Sequence, residues 1–182
     1  TKTVAMRDKL ENMAFSDDLT GLVNRRGLLA LATARCNGLR SSGRRFVVFF
    51  MDLDGLKWIN DNLGHADGDQ ALKDAANIID LSFRKSDIVA RLGGDEYAAI
   101  AMDVKVGEEF HLKSRVVENM RLHNERSGRA YTVAMSIGFM ASDSMEGSVD
   151  TLLKAADGLM YEEKQAKRRK RGERPGEESG SK

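Results

Sequence analysis

The chain has 182 residues, of which 29 are Lys or Arg and 28 are Asp or Glu, leaving a formal net charge of +1 at pH 7. That length suits one domain with short extensions and a substantial core, and the near-cancelled charge argues against both a nucleic-acid binder and a membrane-surface protein. A single cysteine, Cys36, excludes an internal disulfide and fits a reducing cytoplasm, while no run approaches the ~18 apolar residues of a membrane span and no secretory leader is visible.

From the N-terminus, Val4, Met6, Leu10, Met13 and Ala14 form a rough helical stripe over Thr1 to Phe15. This stretch reads as the middle of a helix, which points to a longer parent protein. Ser16-Asp17-Asp18 interrupts it with turn and capping chemistry. Arg25 to Leu39 is the first domain helix, with Leu28, Leu29, Leu31, Ala32 and Cys36 on or near one face, so Cys36 reads as a buried structural thiol. Ser41-Ser42-Gly43 breaks this helix. Val47 to Met51 is then a run of apolar residues rich in β-branched and aromatic types, the pattern of a strand buried on both faces. Asp52 and Asp54 sit where that strand leaves the core. A carboxylate in such a place costs desolvation energy unless something compensates it, and a divalent cation is the natural compensation.

A helix from about Gln70 to Phe83 follows. Ile88 to Leu92 and Tyr97 to Ala101 then flank Gly93-Gly94, a strong hairpin pattern because both central residues of the favoured tight turn need positive φ. The turn carries Asp95 and Glu96 at or beside its tip. Standing alone, two adjacent acids at a strand end are solvated charge. With the strand that ends at Asp52 beside the hairpin, Asp52, Asp95 and Glu96 converge on one point and offer the oxygen ligands that Mg²⁺ prefers. Such a cluster is the minimum equipment for metal-assisted phosphoryl or nucleotidyl transfer. Glu108 to Glu125 is helical, Ala130 to Met140 alternates as a strand through Tyr131, Val133, Met135, Ile137 and Phe139, and Val149 to Ala166 is the last helix. From Gly172 onward the Gly, Glu, Ser and Pro content marks a disordered tail. The order of elements predicts a βαββαβ-type α+β domain, with a central, mostly antiparallel sheet and helices on one or both of its faces.

Gly93-Gly94-Asp95-Glu96-Tyr97 resembles the signature of the GGDEF domain, the bacterial diguanylate cyclase family, with Tyr97 in place of the usual Phe. The resemblance extends through an ordered series of motifs from about Asp17 to Arg168. Asp17-x-Leu19-Thr20-x-Leu22-x-Asn24-Arg25-Arg26 is similar to the family's opening motif. Asp52-x-Asp54-x-x-Lys57-x-x-Asn60-Asp61 and Gly64-His65-x-x-Gly68-Asp69 are similar to its metal and nucleotide segment. Ser136-Ile137-Gly138 and Ala156-Asp157-x-x-Met160-Tyr161-x-x-Lys164 are similar to its last strand and helix.

This resemblance implies a palm-like nucleotidyl cyclase that condenses two GTP into cyclic di-GMP and releases pyrophosphate. Residues 1–15 would be a signalling helix from an upstream sensor domain, 16–169 the cyclase domain and 170–182 a tail. Asp52, Asp95, Glu96 and the main chain of Leu53 would hold Mg²⁺ or Mn²⁺, with Asp95 and Glu96 as the catalytic pair and Asp95 as the essential residue. Main-chain N–H groups of Gly55, Leu56 and Lys57, together with Lys164 and Arg168, would contact the GTP phosphates. Asn60 and Asp69 would read guanine, and the chemistry agrees: a carboxylate accepts from the N1–H and N2–H₂ edge that adenine lacks. Without the motif series Asn60 would make a turn and Asp69 would cap a helix. His65 is assigned no chemistry. Arg84-x-x-Asp87 matches the family's inhibitory site for its product, with Arg115 as a further member. One domain carries one GTP, so the resemblance implies a homodimer. It also implies a cytoplasmic domain without nucleic-acid or membrane contact, whatever anchors the full-length protein. Two departures are Leu56, where the family usually has Phe, and Lys167-Arg168-Arg169, where it often has Gly-Arg-Asn. The alternative is a non-catalytic receptor of cyclic di-GMP or GTP, against which the intact turn argues.

Overall fold

The computed structural model describes residues 14–172. The expected signalling helix over 1–15 and the expected tail over 170–182 therefore lie almost wholly outside the described residues. Ten elements follow in chain order: β1 (Val23–Asn24), α1 (Arg25–Ser41), β2 (Phe46–Leu53), α2 (Leu56–Leu63), α3 (His65–Ser82), β3 (Ile88–Gly93), β4 (Glu96–Met102), α4 (Glu108–Arg126), β5 (Met135–Ala141) and α5 (Val149–Lys170). They form an α+β domain around one sheet in the order β1-β3-β4-β2-β5, antiparallel except for the parallel β1–β3 pair.

β2 is the centre of the molecule, and every one of its residues is buried. Its odd residues Val47, Phe49, Met51 and Leu53 pack with α3 and α4, while Phe46, Val48 and Phe50 pack with α1 and α5. Period-2 alternation on a strand covered on both faces therefore divides the core in two, and helices lie on both faces. Cys36 is buried in the α1/α5 half, where burial pushes its thiol up to about 11.

Four differences from the sequence expectations have physical causes. The two-residue strand β1 is too short to carry a hydrophobic period. α3 begins at His65, five residues before the expected Gln70, and α2 lies just ahead of it. Tyr131 and Val133 are buried as their alternation requires, yet the strand starts only at Met135. The Val133 N–H and C=O bond instead to the Asn124 side chain over 2.8 Å each, so burial there comes without ladder pairing. Finally, the hairpin turn is centred on Gly94-Asp95, because Gly93 pairs with Glu96. Gly93 at φ 138° and Gly94 at φ 50° both take positive-φ conformations that favour glycine, so the turn uses the pair while Asp95 takes the tip.

The segment before β5 is fastened by Asp74 of α3. This carboxylate accepts from Gln70 at 2.9 Å, Arg129 Nε at 3.0 Å and Tyr131 at 2.7 Å. Burial alone would raise its pKa, but those hydrogen bonds and the Arg129 charge outweigh burial and hold the carboxyl below its ordinary value. A lowered folded pKa means the stabilisation is present above the ordinary carboxylate range and is lost as pH falls through it. Urea unfolding should therefore show wild type losing stability more steeply than Asp74→Asn below about pH 4, from a neutral-pH advantage of about 1–3 kcal/mol. Parallel pH profiles would refute this account. No helix among the described residues is long and apolar enough to cross a membrane.

Candidate active site

β2 and the β3–β4 turn bring the predicted acids side by side. Asp52 is the ladder partner of Glu96 on one side and Ser136 on the other, so all three side chains leave the face packed by α1 and α5. The Leu53 N–H donates to the Asp95 carbonyl over 2.9 Å, which ties the turn to the end of β2. The Ser136 hydroxyl donates to Asp54 at 3.0 Å.

The turn is braced from behind by Arg91, a role the sequence did not disclose. Its Nε and Nη2 donate to the Gly94 carbonyl at 3.1 and 2.7 Å, and its Nη1 meets the Asp17 carboxylate at 3.1 Å. Asp17 also receives the Thr20 N–H and hydroxyl at 2.9 and 2.7 Å. Burial raises its carboxyl, but these Thr20 bonds and Arg91 prevail and leave it below the ordinary value.

α5 supplies cations from above. Lys164 Nζ lies 2.5 Å from Asp52 Oδ1. Lys167 Nζ donates to the Met135 carbonyl at 2.6 Å and lies 3.6 Å from Asp54 Oδ2. Lys167 stands where the family often has Gly, and its place one turn after Lys164 puts both on one face. α5 can sit this close because Gly138 of β5 has no side chain: a Cβ there would fall 2.1 Å from the Ala156 carbonyl oxygen and 2.3 Å from the Met160 nitrogen.

Electrostatically, burial dominates at the end of β2. Burial pushes the Asp52 carboxyl up to about 6 against the pull of Lys164, and the Asp95 and Asp54 charges add to the rise. Burial likewise raises Asp54 despite Lys167, and burial with the neighbouring Asp157 and Asp95 charges raises Glu96. Among the described residues no three Asp, Glu, His or Cys side chains gather closely enough to hold an ion as they stand. Asp52 and Glu96 form a cross-strand pair beside the turn acid Asp95, and Lys164 supplies a compensating charge to Asp52. The donor set still suits a hard divalent ion, since the residues are carboxylates whose ionised forms burial disfavours, a desolvation cost that such an ion would relieve.

A cavity of about 310 Å³ opens beside these acids. The expected site residues Gly55, Leu56, Asp95, Lys164 and Arg168 all line it. The first turn of α2, with its unpaired N–H groups, forms one wall, as an anion site needs. Leu56 is partly buried against the core and lines the cavity. Lys57 is exposed and outside the lining, as is Asp69 on α3. Asn60 is half-buried against Gly68, where an added Cβ would fall 1.8 Å from the Asn60 Oδ1.

Arg84 and Asp87 lie at the far end of the hairpin from this cavity. Asp87 accepts the Arg84 N–H at 2.8 Å and the Met102 N–H at 2.9 Å, a structural use of both oxygens. The Arg84 guanidinium is exposed and pairs with Glu108 at 3.3 Å. Arg115 is exposed on α4.

The family profile described as diguanylate cyclase, GGDEF domain, matches residues 14–170. Among curated proteins the chain is similar to the cyclic di-GMP phosphodiesterase NbdA of Pseudomonas aeruginosa, 35% identical over 156 residues that make up 85% of this chain and 20% of that protein. It is also similar to the diguanylate cyclase DgcP of Escherichia coli, 29% identical over 157 residues, 86% of this chain and 46% of that protein. The chain thus spans less than half the length of either relative. Among solved structures, the GGDEF domain of TpbB (YfiN) from Pseudomonas aeruginosa matches with a TM-score of 0.77 at 31% identity, covering 83% of this chain and 89% of that one. With its motif series, five-stranded sheet and acid-bearing turn, the chain belongs to the GGDEF domain family of diguanylate cyclases.

Proposed function

We propose that this domain condenses two GTP into cyclic di-GMP with release of pyrophosphate. The observation that carries this reading is the cavity where the α2 N-terminus, Asp95 of the turn, and Lys164 and Arg168 of α5 meet. Backbone N–H groups at Gly55, Leu56 and Lys57, with Lys164 and Arg168, bind and orient the triphosphate. Asp52, Asp95, Glu96 and the main chain of Leu53 would hold Mg²⁺ or Mn²⁺, and the chemistry such an ion supplies when bound is neutralisation of charge on the transferring phosphoryl group and leaving diphosphate. With an ion held beside Asp52, Lys164 would be available to the nucleotide phosphates in place of its present pair with that carboxylate. One cavity holds one GTP, so two copies must face each other for the 3′-hydroxyl of one nucleotide to reach the α-phosphate of the other. Product inhibition is assigned to the Arg84 guanidinium and Asp87 at the distant end of the hairpin, with Arg115 on α4.

Incubating purified protein with GTP and Mg²⁺ and identifying products by mass tests the reading, with cyclic di-GMP and diphosphate expected. Binding of GTP or cyclic di-GMP without turnover would instead identify a receptor.

Base recognition is assigned to Asn60 and Asp69, and Gly68 offers a way to separate it from stability. Gly68→Ala forces the Asn60 amide to turn away, a cheap movement for a side-chain tip, while Ala in a helix interior gains up to about 1 kcal/mol over Gly. The variant should melt no lower than wild type, yet its KM for GTP should rise about tenfold as the paired polar groups are lost. An unchanged KM would remove Asn60 from the base site.

A further inference from the structure

We propose that Arg129, aimed by the buried carboxylate of Asp74, is a further binding residue for the polyphosphate group of the nucleotide; this rests on the nucleotide reading of the cavity. Arg129 lines the same cavity as Lys164, Lys167 and Arg168 but comes from a different wall, the segment that leads into β5. With Arg171 the lining holds five basic residues and two carboxylates, Asp54 and Asp95; Lys167 pairs with Asp54 and Glu163, and Lys164 with Asp52 behind the lining. α5 thus faces the cavity with cations on one side, Arg129 faces it on another, and the N-terminus of α2 makes a third wall. A multiply charged anion is the ligand that such a three-sided arrangement fits.

The way Arg129 is held distinguishes it from an ordinary surface cation. Its Nε and Nη2 donate to Asp74 at 3.0 and 3.2 Å, and Nη1 has no hydrogen-bond partner among the described residues. The Arg129 side chain is 37% exposed, whereas that of Asp74 is only 4% exposed. Asp74 is fixed in turn by Gln70 and Tyr131, and His123 Nε2 lies 3.4 Å from it. An exposed ion pair adds little to stability, and burying a carboxylate is costly. A buried acid that locks the rotamer of a cavity-facing guanidinium is instead the second layer that a preorganised anion site requires. Arg129 contacts the ligand in this scheme, and Asp74 is a positioning residue.

The test titrates the chain calorimetrically with inorganic triphosphate and, separately, measures KM and kcat for GTP. Arg129→Ala should weaken triphosphate binding about tenfold or more and raise KM by a similar factor, with a smaller change in kcat. Arg129→Lys, which keeps the charge but loses the fork to Asp74, should recover part of the affinity. Asp74→Asn should weaken triphosphate binding while circular dichroism shows a folded chain. Arg169→Ala removes an exposed cation of α5 outside the cavity and should leave binding within about twofold, which controls for bulk charge. Triphosphate affinity unchanged in Arg129→Ala, equally reduced in Arg169→Ala, or undetectable in wild type would overturn the assignment. If Arg129-dependent binding is found but GTP gives no cyclic product, the cyclase reading fails and this site stands. If product forms and Arg129→Ala changes neither binding nor KM, the cyclase reading stands and this site fails.

Discussion

Asp95→Ala is expected to lower cyclic di-GMP formation by at least about a hundredfold, as loss of a charge-organising group at a reacting centre does, without unfolding the protein. The side chain lines the cavity, whereas the contact that fixes the turn is made by the Asp95 carbonyl, which accepts the Leu53 N–H at 2.9 Å. Alanine keeps that carbonyl, and the Arg91 brace acts on Gly94, so the hairpin retains both supports. The Asp95 charge also contributes to the raised pKa values of Asp52 and Glu96. Removing it relieves repulsion among buried acids, so the melting temperature should stay the same or rise slightly, the usual trade between a functional site and stability. Product measured by mass and a thermal melt check the two halves independently. Undiminished product would exclude the turn from the reaction, and a collapsed melting transition would show that the side chain has a structural role.

Gly138→Ala should have the opposite signature, a loss of stability of about 2–4 kcal/mol from forced overpacking. The added Cβ meets backbone of α5, at 2.1 Å from the Ala156 oxygen and 2.3 Å from the Met160 nitrogen, so no side-chain rotation can relieve it. α5 has to shift off β5, and the bonds it sends down to the strand go with it: Lys167 to the Met135 carbonyl and Glu163 to the Ile137 N–H at 3.1 Å. β5 is an edge strand, and those side chains, with Lys113 on the Ile137 carbonyl at 3.0 Å, occupy groups that would otherwise be open to another chain. Lys164 would also lose its approach to Asp52. Gly158→Ala on α5 itself is the matched control, because nothing lies within 4 Å of a Cβ there; it should be neutral or stabilising by up to about 1 kcal/mol. Urea unfolding of the three proteins decides the matter. Equal midpoints would mean that helix and strand do not need this close approach.

The sequence by itself determined the elements whose hydrophobic period is local and unbroken. The run Val47 to Met51 had to be a strand covered on both faces, and the glycine pair had to turn the chain between Ile88 and Ala101. The motif series also identified the family. What lay outside local reach needed the tertiary structure. The alternation through Tyr131 and Val133 reported burial truthfully but could not say that the partner was the Asn124 side chain and not a strand. The sequence named the acids, but only the ladder register shows that Asp52 and Glu96 are a cross-strand pair with Asp95 on the turn beside them. Lys164 reaches Asp52 across 112 positions of sequence, Arg91 reaches Asp17 across 74, and Arg129 reaches Asp74 across 55. No periodicity encodes such pairs. A charged side chain finds its partner only after hydrophobic burial has fixed the strand order and the seating of the helices, so charges that read as solvated in one dimension become the braces and walls of a site in three.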